Sequence, residues 1–172
     1  FYSFKKISSY IKDDHRIVCE IGGGFGSLAS KLKKKYSNLC IIIIDLPEAI
    51  ILQSYYLLKL YPEKKFCFYN DFIKLSPDEL KSNNYDFIII PPWTKQKIIN
   101  LFKIDYFINT HSFQEMDKEI VSDYFKFINK TIRVNGIFYC LNKYSKTINN
   151  KLADELAIPS RKVLVVSRNS VA

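Results

Sequence analysis

Apolar positions along this chain change period several times, alternating short continuous runs with stretches where they recur every third or fourth residue. The runs are Ile17-Val18-Cys19-Glu20-Ile21, Cys40-Ile41-Ile42-Ile43-Ile44, Lys65-Phe66-Cys67-Phe68-Tyr69, Phe87-Ile88-Ile89-Ile90, Tyr106-Phe107-Ile108, Ile137-Phe138-Tyr139-Cys140-Leu141 and Lys162-Val163-Leu164-Val165-Val166. Each is short, β-branched or aromatic, and bounded by polar or turn residues, which predicts a strand. The isoleucine run at 41–44 shows no alternation, as expected of a strand buried on both faces. Helical spacing of Tyr2, Phe4, Ile7, Tyr10 and Ile11 predicts the end of an opening helix within residues 1–14. Further helices are predicted from Ser27 to Lys35, Glu48 to Leu60 and Lys118 to Thr131, with a short one near 150–157. In the 118–131 helix, Ile120, Tyr124, Phe127 and Ile128 form the expected packed face, and Asn135-Gly136 the expected stop. Residues 76–84, with Pro77, Asp78, Asn83 and Asn84, read as a polar connection. Alternation of strand and helix predicts one α/β domain over residues 1–172, with a mostly parallel central sheet flanked by helices.

Between the first strand and the first internal helix stands Glu20-Ile21-Gly22-Gly23-Gly24-Phe25-Gly26. Glycines at 22, 24 and 26 allow a sharp turn and a close approach of backbone to a ligand. A strand–loop–helix setting of this kind is what a Rossmann-like nucleotide loop requires. The dinucleotide spacing G-x-G-x-x-G needs glycine at 27, where Ser27 stands, so NAD is disfavoured. The acidic-x-G-x-G-x-G pattern instead resembles motif I of the class I S-adenosylmethionine (SAM) methyltransferases. Glu20 is then placed to face the amino group of the cofactor's methionine. Asp45 follows the second strand, about 20 residues after the glycines, where a carboxylate can accept both ribose hydroxyls; it can equally cap the helix after Pro47. For the adenine two positions remain open. Asn70 and Asp71, with Phe72, follow one candidate third strand, and Pro92 and Trp93 follow the other.

Charge and cysteine usage narrow the classes. The chain of 172 residues carries a net charge of +9, with its lysines dispersed except at Lys31, Lys33, Lys34 and Lys35. That cluster ends a helix, where cations complement the macrodipole, and it reads as a solvated helix end rather than a nucleic-acid patch. Cys19, Cys40, Cys67 and Cys140 fall in apolar strand-like runs without a C-x-x-C pair, and read as small buried hydrophobes in a reducing cytoplasm. His15 and His111 are the only histidines and stand far apart, so no metal site is expected. No apolar run is long enough for a membrane span, and no signal peptide is visible. The chain opens on Phe1 in mid-pattern and is expected to lack upstream sequence.

A second stretch, Asp105-Tyr106-Phe107-Ile108-Asn109-Thr110-His111-Ser112-Phe113-Gln114-Glu115-Met116, adds specificity. Together with the glycine loop, Asp45-Leu46-Pro47-Glu48 and the run from Gly136 to Tyr144, it resembles the sugar O-methyltransferases, bacterial class I enzymes often associated with surface-polysaccharide synthesis. The similarity runs in order from about residue 15 to 146 and into the final strand. It implies the Rossmann-like class I methyltransferase fold, SAM as cofactor and a sugar or glycoconjugate hydroxyl as acceptor. Cofactor contacts are then expected from Glu20, Gly22, Gly24, Gly26, Asp45, Leu46, Asn109 and one of the two adenine candidates. In the related enzymes, N-terminal helices often cover the acceptor site.

Methyl transfer from a sulfonium to a hydroxyl is an in-line displacement in which the protein positions the groups and removes a proton. His111 is the candidate base, since imidazole ordinarily titrates near neutral pH, and Glu115 is a candidate to orient it. Ser112 and Gln114 are candidates for substrate contacts, and Trp93 for a platform under a pyranose face. Against these readings, His111 and Ser112 can simply cap a turn, and Trp93 can pack. Two rivals stand beside the sugar enzyme. Ile90-Pro91-Pro92-Trp93 resembles the Pro-Pro-aromatic motif of amino-group methyltransferases acting on nucleic-acid bases, but Ile90 stands where that motif has Asp, Asn or Ser. A SAM-binding module without turnover is the other.

Overall fold

The structure, a computed structural model, describes residues 2–12, 16–142 and 163–167. In chain order the elements are α1 (Tyr2–Ser8), β1 (Ile17–Ile21), α2 (Ser27–Lys35), β2 (Cys40–Ile44), α3 (Pro47–Leu60), β3 (Phe66–Phe68), α4 (Tyr69–Lys74), α5 (Pro77–Ser82), β4 (Phe87–Ile90), α6 (Lys95–Leu101), β5 (Ile104–Thr110), α7 (Lys118–Thr131), β6 (Ile132–Leu141) and β7 (Val163–Ser167). The seven strands form one sheet in the order β3-β4-β2-β1-β5-β6-β7. Pairings are parallel throughout except β6 with β7, which is antiparallel. This is the mostly parallel α/β architecture expected from the sequence.

Burial on both faces explains the unalternating runs. Ile41 and Ile43 face the layer holding Ala29 and Leu32 of α2 and Leu57 of α3. Ile42 and Ile44 face the opposite layer, with Phe72, Leu80, Ile98 and the α7 residues Tyr124 and Phe127. From β1 the chain steps to β2, passes to the edge strand β3, comes back to β4 between them, and then crosses β1 to β5 and β6 on the other side. The carboxyl ends of β1 and β5 thus border a topological switch point, where open α/β sheets bind ligands.

Several expectations change. The two candidate third strands both form, and the later one, β4, lies beside β2 while β3 takes the sheet edge. The supposed connection at 76–84 contains α5, because Ser76 and Glu79 form a reciprocal capping box that satisfies backbone donors of the first turn. Asn135-Gly136 does not stop α7. The helix ends at Thr131, and both residues lie inside β6, at positive φ for Asn135, where the β5–β6 register shifts. Within α7 the packed face uses Val121 in place of Ile120, which is exposed. Lys33 is no solvated helix end: it is buried, donating to the Leu39 carbonyl at 2.6 Å and pairing with Asp86 at 2.5 Å. The expected helix near 150–157 and His15 lie outside the described residues.

Candidate functional site

Four loops meet at the carboxyl ends of β1, β2, β4 and β5. Ile21 at the end of β1 pairs with Ile44 on one side and Asn109 on the other. The chain then turns through Gly22, Gly24 and Gly26, with φ of 73°, 59° and 91°. Side chains rarely adopt that region, so the glycines are required by the path itself. A Cβ on Gly22 would stand 2.3 Å from the Cβ of Ser112, whereas one on Gly24 would meet nothing within 4 Å. Gly22 is therefore packed by protein, and Gly24 borders open space.

Two depressions share Gly22. The smaller, about 250 Å³, is bordered by Glu20, Gly23, Gly24, Lys31, Thr110 and the α1 residues Ser3 and Phe4. Glu20 is buried, and its Oε2 has no hydrogen-bond partner. Burial pushes its carboxyl up to about 8 and the neighbouring Asp45 carboxylate adds to the rise, against a hydrogen bond from the Ala29 backbone. A buried acid oxygen without a partner is costly, and a cation bound beside it would supply the missing contact.

The larger depression, about 970 Å³, runs from Gly22, Asp45 and Leu46 past Pro92, Trp93 and Met116 into the cleft between α6 and α7. Asp45 follows β2, with its backbone N–H donating to Ile90 at 3.3 Å. Its Oδ1 accepts from the Leu46 N–H at 2.8 Å, and its Oδ2 accepts from Gln53 Nε2 at 2.5 Å. Trp93, 62% exposed, stands edge-on to Tyr69 with ring centroids 6.0 Å apart. Of the two adenine candidates, Pro92 and Trp93 border this groove together with Asp45. Asn70 and Asp71 are exposed on α4, which follows the edge strand, and do not border it. The pairing of β4, rather than β3, with β2 is the reason.

The β5 loop is braced internally. Asn109 is fully buried and donates from Nδ2 to the Ile21 carbonyl at 3.0 Å and to Ser112 Oγ at 2.5 Å. Ser112 Oγ also donates to the Ile21 carbonyl at 3.1 Å. Asn142 Nδ2 donates to Asn109 Oδ1 at 2.8 Å, and the Asn142 side-chain oxygen accepts from the Gln114 backbone at 3.2 Å. Asn109 and Ser112 are thus placed as struts between β1 and β5. His111 is exposed at φ 69°, with its backbone N–H donating to the Leu141 carbonyl at 2.7 Å. Glu115 is exposed on the rim of the larger groove. Among the described residues no hydrogen bond joins His111 to Glu115, and no cluster of potential ligands could hold a metal. No helix among them is long and apolar enough to cross a membrane.

Gln53 is the residue that sequence reasoning missed. Its signal was a lone amide inside the apolar stretch Ile50-Ile51-Leu52-Gln53, on the face of α3 that turns inward. Thr110 and Lys31, beside the smaller depression, gave no distinguishing signal.

No protein-family model and no curated protein matches the chain. Solved structures do match in fold. A glycopeptide N-methyltransferase, solved with SAM, superposes over 97% of this chain and 65% of its own, with a TM-score of 0.57 and 11% identity. A precorrin-6y methyltransferase from Geobacter metallireducens covers 91% of this chain and 66% of its own, at TM-score 0.56 and 10% identity. Mitomycin 7-O-methyltransferase covers 90% of this chain and 39% of its own, at TM-score 0.56 and 12% identity. The chain thus spans 66% or less of the length of each of these three. Identities this low show the fold alone, a Rossmann-like fold shared with these methyltransferases.

Proposed function

We propose that this chain binds SAM and directs its methyl group to a hydroxyl of a sugar or glycoconjugate. The observation that carries the cofactor reading is the buried, unpartnered Oε2 of Glu20 beneath a glycine loop whose Gly24 borders open space. A sulfonium nucleoside bearing an amino acid fits this set of donors and acceptors. It carries an ammonium for Glu20 and a ribose diol for Asp45. Each Asp45 oxygen has one hydrogen bond within the protein, and a carboxylate oxygen has room for a second, so one acceptor position per ribose hydroxyl remains. Pro92 and Trp93 supply the apolar contact for the adenine. A fold neighbour solved with SAM supports the same reading.

When bound, the cofactor supplies an electrophilic methyl on a sulfonium. The protein's part is to hold the acceptor hydroxyl in line and accept its proton. His111 fills the base role in this reading. Its backbone is pinned to Leu141 in a conformation rarely adopted by residues other than glycine, a kind of strain that clusters at functional sites. Glu115 and Gln114 belong to the acceptor side, and Trp93 offers an exposed ring for a pyranose face. The acceptor class rests on the resemblance of the 105–116 stretch and the Asp45-Leu46-Pro47-Glu48 motif to the sugar enzymes. Ile90 is buried in β4 and offers no acceptor to a target amino group, which counts against the base-modifying alternative.

Calorimetric titration with SAM and S-adenosylhomocysteine, with NAD as control, tests the cofactor. Micromolar binding of the first two, absent with NAD and lost in Asp45→Ala, is expected. A folded sample that ignores both would overturn the reading. Acceptors are then screened by methyl transfer to sugar-nucleotide and oligosaccharide hydroxyls, where His111→Ala should lower turnover about 100-fold without weakening cofactor binding.

A further inference from the structure

A side chain from outside the glycine loop ties two walls of the site together. Gln53 lies in the middle of α3 and is fully buried. Its Nε2 donates to the Gly24 carbonyl at 2.8 Å and to Asp45 Oδ2 at 2.5 Å. Both neighbours are acceptors, so chemistry alone requires the amide nitrogen to point there. The other end of the amide, Oε1, is buried with no partner. A Cβ on Gly23 would stand 3.4 Å from Nε2, so the loop lies directly against the amide. Burying an amide with one unsatisfied atom costs stability relative to an apolar residue of the same size. The reason for a glutamine here therefore lies in its two acceptors, the Gly24 carbonyl and the Asp45 carboxylate, both of which border the site.

We infer that Gln53 is a positioning residue that sets the affinity for the cofactor's ribose. This rests on the SAM reading above. Asp45 is held at one oxygen by the Leu46 N–H and at the other by Gln53, so its carboxylate cannot rotate. A carboxylate fixed before binding spends less conformational entropy when the diol arrives. The same amide fixes the carbonyl of Gly24, so the ribose acceptor and the glycine loop keep a constant separation. Without the amide, Asp45 turns freely and the Gly24 carbonyl loses its donor.

The test uses S-adenosylhomocysteine and its 2′-deoxy analogue, titrated against the wild-type chain, Gln53→Leu, Gln53→Glu, Asp45→Ala and the Gln53→Leu/Asp45→Ala double variant, with melting followed in parallel. The wild type should prefer the ribose ligand by about tenfold or more, the worth of a hydrogen bond to a charged group. Gln53→Leu should reduce that preference several-fold, Asp45→Ala should abolish it, and the double variant should match Asp45→Ala alone. Gln53→Glu keeps the shape but sets a carboxylate against Asp45 and the Gly24 carbonyl, so it should weaken the ribose ligand more than leucine does. Equal preference in wild type and in both Gln53 variants overturns the role of Gln53 and leaves the cofactor reading intact. Variants that weaken both ligands by the same factor also overturn it, since that is what a structural role produces. A folded wild type that binds neither ligand overturns the cofactor reading, and this inference with it.

Discussion

If Glu20 meets the ammonium of SAM as proposed, it links ligand binding to a proton. Burial, and then the carboxylate of Asp45, hold its carboxyl up at about 8, so the site carries that proton at neutral pH. An ammonium group binds the ionised form, so in the proposed reading cofactor binding releases the proton. Affinity for S-adenosylhomocysteine should therefore rise by up to tenfold per pH unit below about pH 8 and level off above it. Glu20→Gln should bind weakly with a flat profile, and titration in buffers of different ionisation enthalpy should register proton release for the wild type alone. The same group acts on stability in the opposite direction. Its native value is raised from 4.5, so between there and about 8 the folded chain holds a proton that the unfolded chain has lost. Stability contributed by this group falls as pH rises through that window. Glu20→Gln should consequently be the more stable chain above pH 8 in the absence of ligand. A steric contrast separates the glycines. Gly22→Ala collides with Ser112 and should unfold or deeply destabilise the chain. Gly24→Ala meets open space and should cost only the ~1–2 kcal/mol of a left-handed alanine, yet weaken cofactor binding. Circular-dichroism melts beside titrations distinguish the two. The turn at Gly22, Gly24 and Gly26 was legible in sequence because few backbone paths require glycine at every second position. The struts Asn109 and Ser112 were not, since polar residues after a strand read alike whether they face a ligand or a neighbouring carbonyl.

Among the elements, α2 and α7 match their predicted bounds because their apolar periodicity is strong and their ends abrupt. The helix α5 was hidden. Six residues rich in Pro, Asp, Glu and Ser look like a loop until Ser76 and Glu79 are seen to cap one another. Ser76→Ala should cost about 1 kcal/mol, measurable by denaturant melts, and leave ligand affinity unchanged because α5 lies away from the groove. The order of β3 and β4 was likewise beyond the sequence, for two apolar runs of similar length compete for one neighbour. β4 is buried at all four positions, whereas β3 has one buried residue of three. A central position favours the strand that is apolar on both faces. That single choice sets Pro92 and Trp93, and not Asn70 and Asp71, beside Asp45 on the groove. The outer face of α3 is unusual in exposing Ile51, Leu52, Tyr55 and Leu58. Ile51→Lys, at a position 73% exposed, should change stability by less than about 0.5 kcal/mol.

Across the whole molecule, the candidate site and the main fastening occupy opposite ends of the sheet. At the amino ends of the strands, the buried carboxylate of Asp105 accepts from the backbone N–H groups of Arg16 and Ile17, each at 2.8 Å, and pairs with Arg133 at 2.6 Å. One side chain thereby joins β1, β5 and β6. Asp105→Ala removes the carboxylate shared by two backbone donors and Arg133 and should cost about 1–3 kcal/mol. It should leave the affinity for S-adenosylhomocysteine unchanged below the melting transition, since every residue proposed to hold the cofactor lies at the far end. The free edge of the sheet is closed differently. β3 is only Phe66–Phe68, flanked by Lys64 and Lys65, and it covers the hydrogen-bonding edge of the entirely apolar β4. Short, charged edges discourage recruitment of strands from other chains. β3 thus serves as a guard for solubility as much as a part of the core. Cys67→Pro, which strips the strand of a ladder donor, should turn a dispersed protein into one that assembles into thioflavin-positive aggregates led by Phe87-Ile88-Ile89-Ile90.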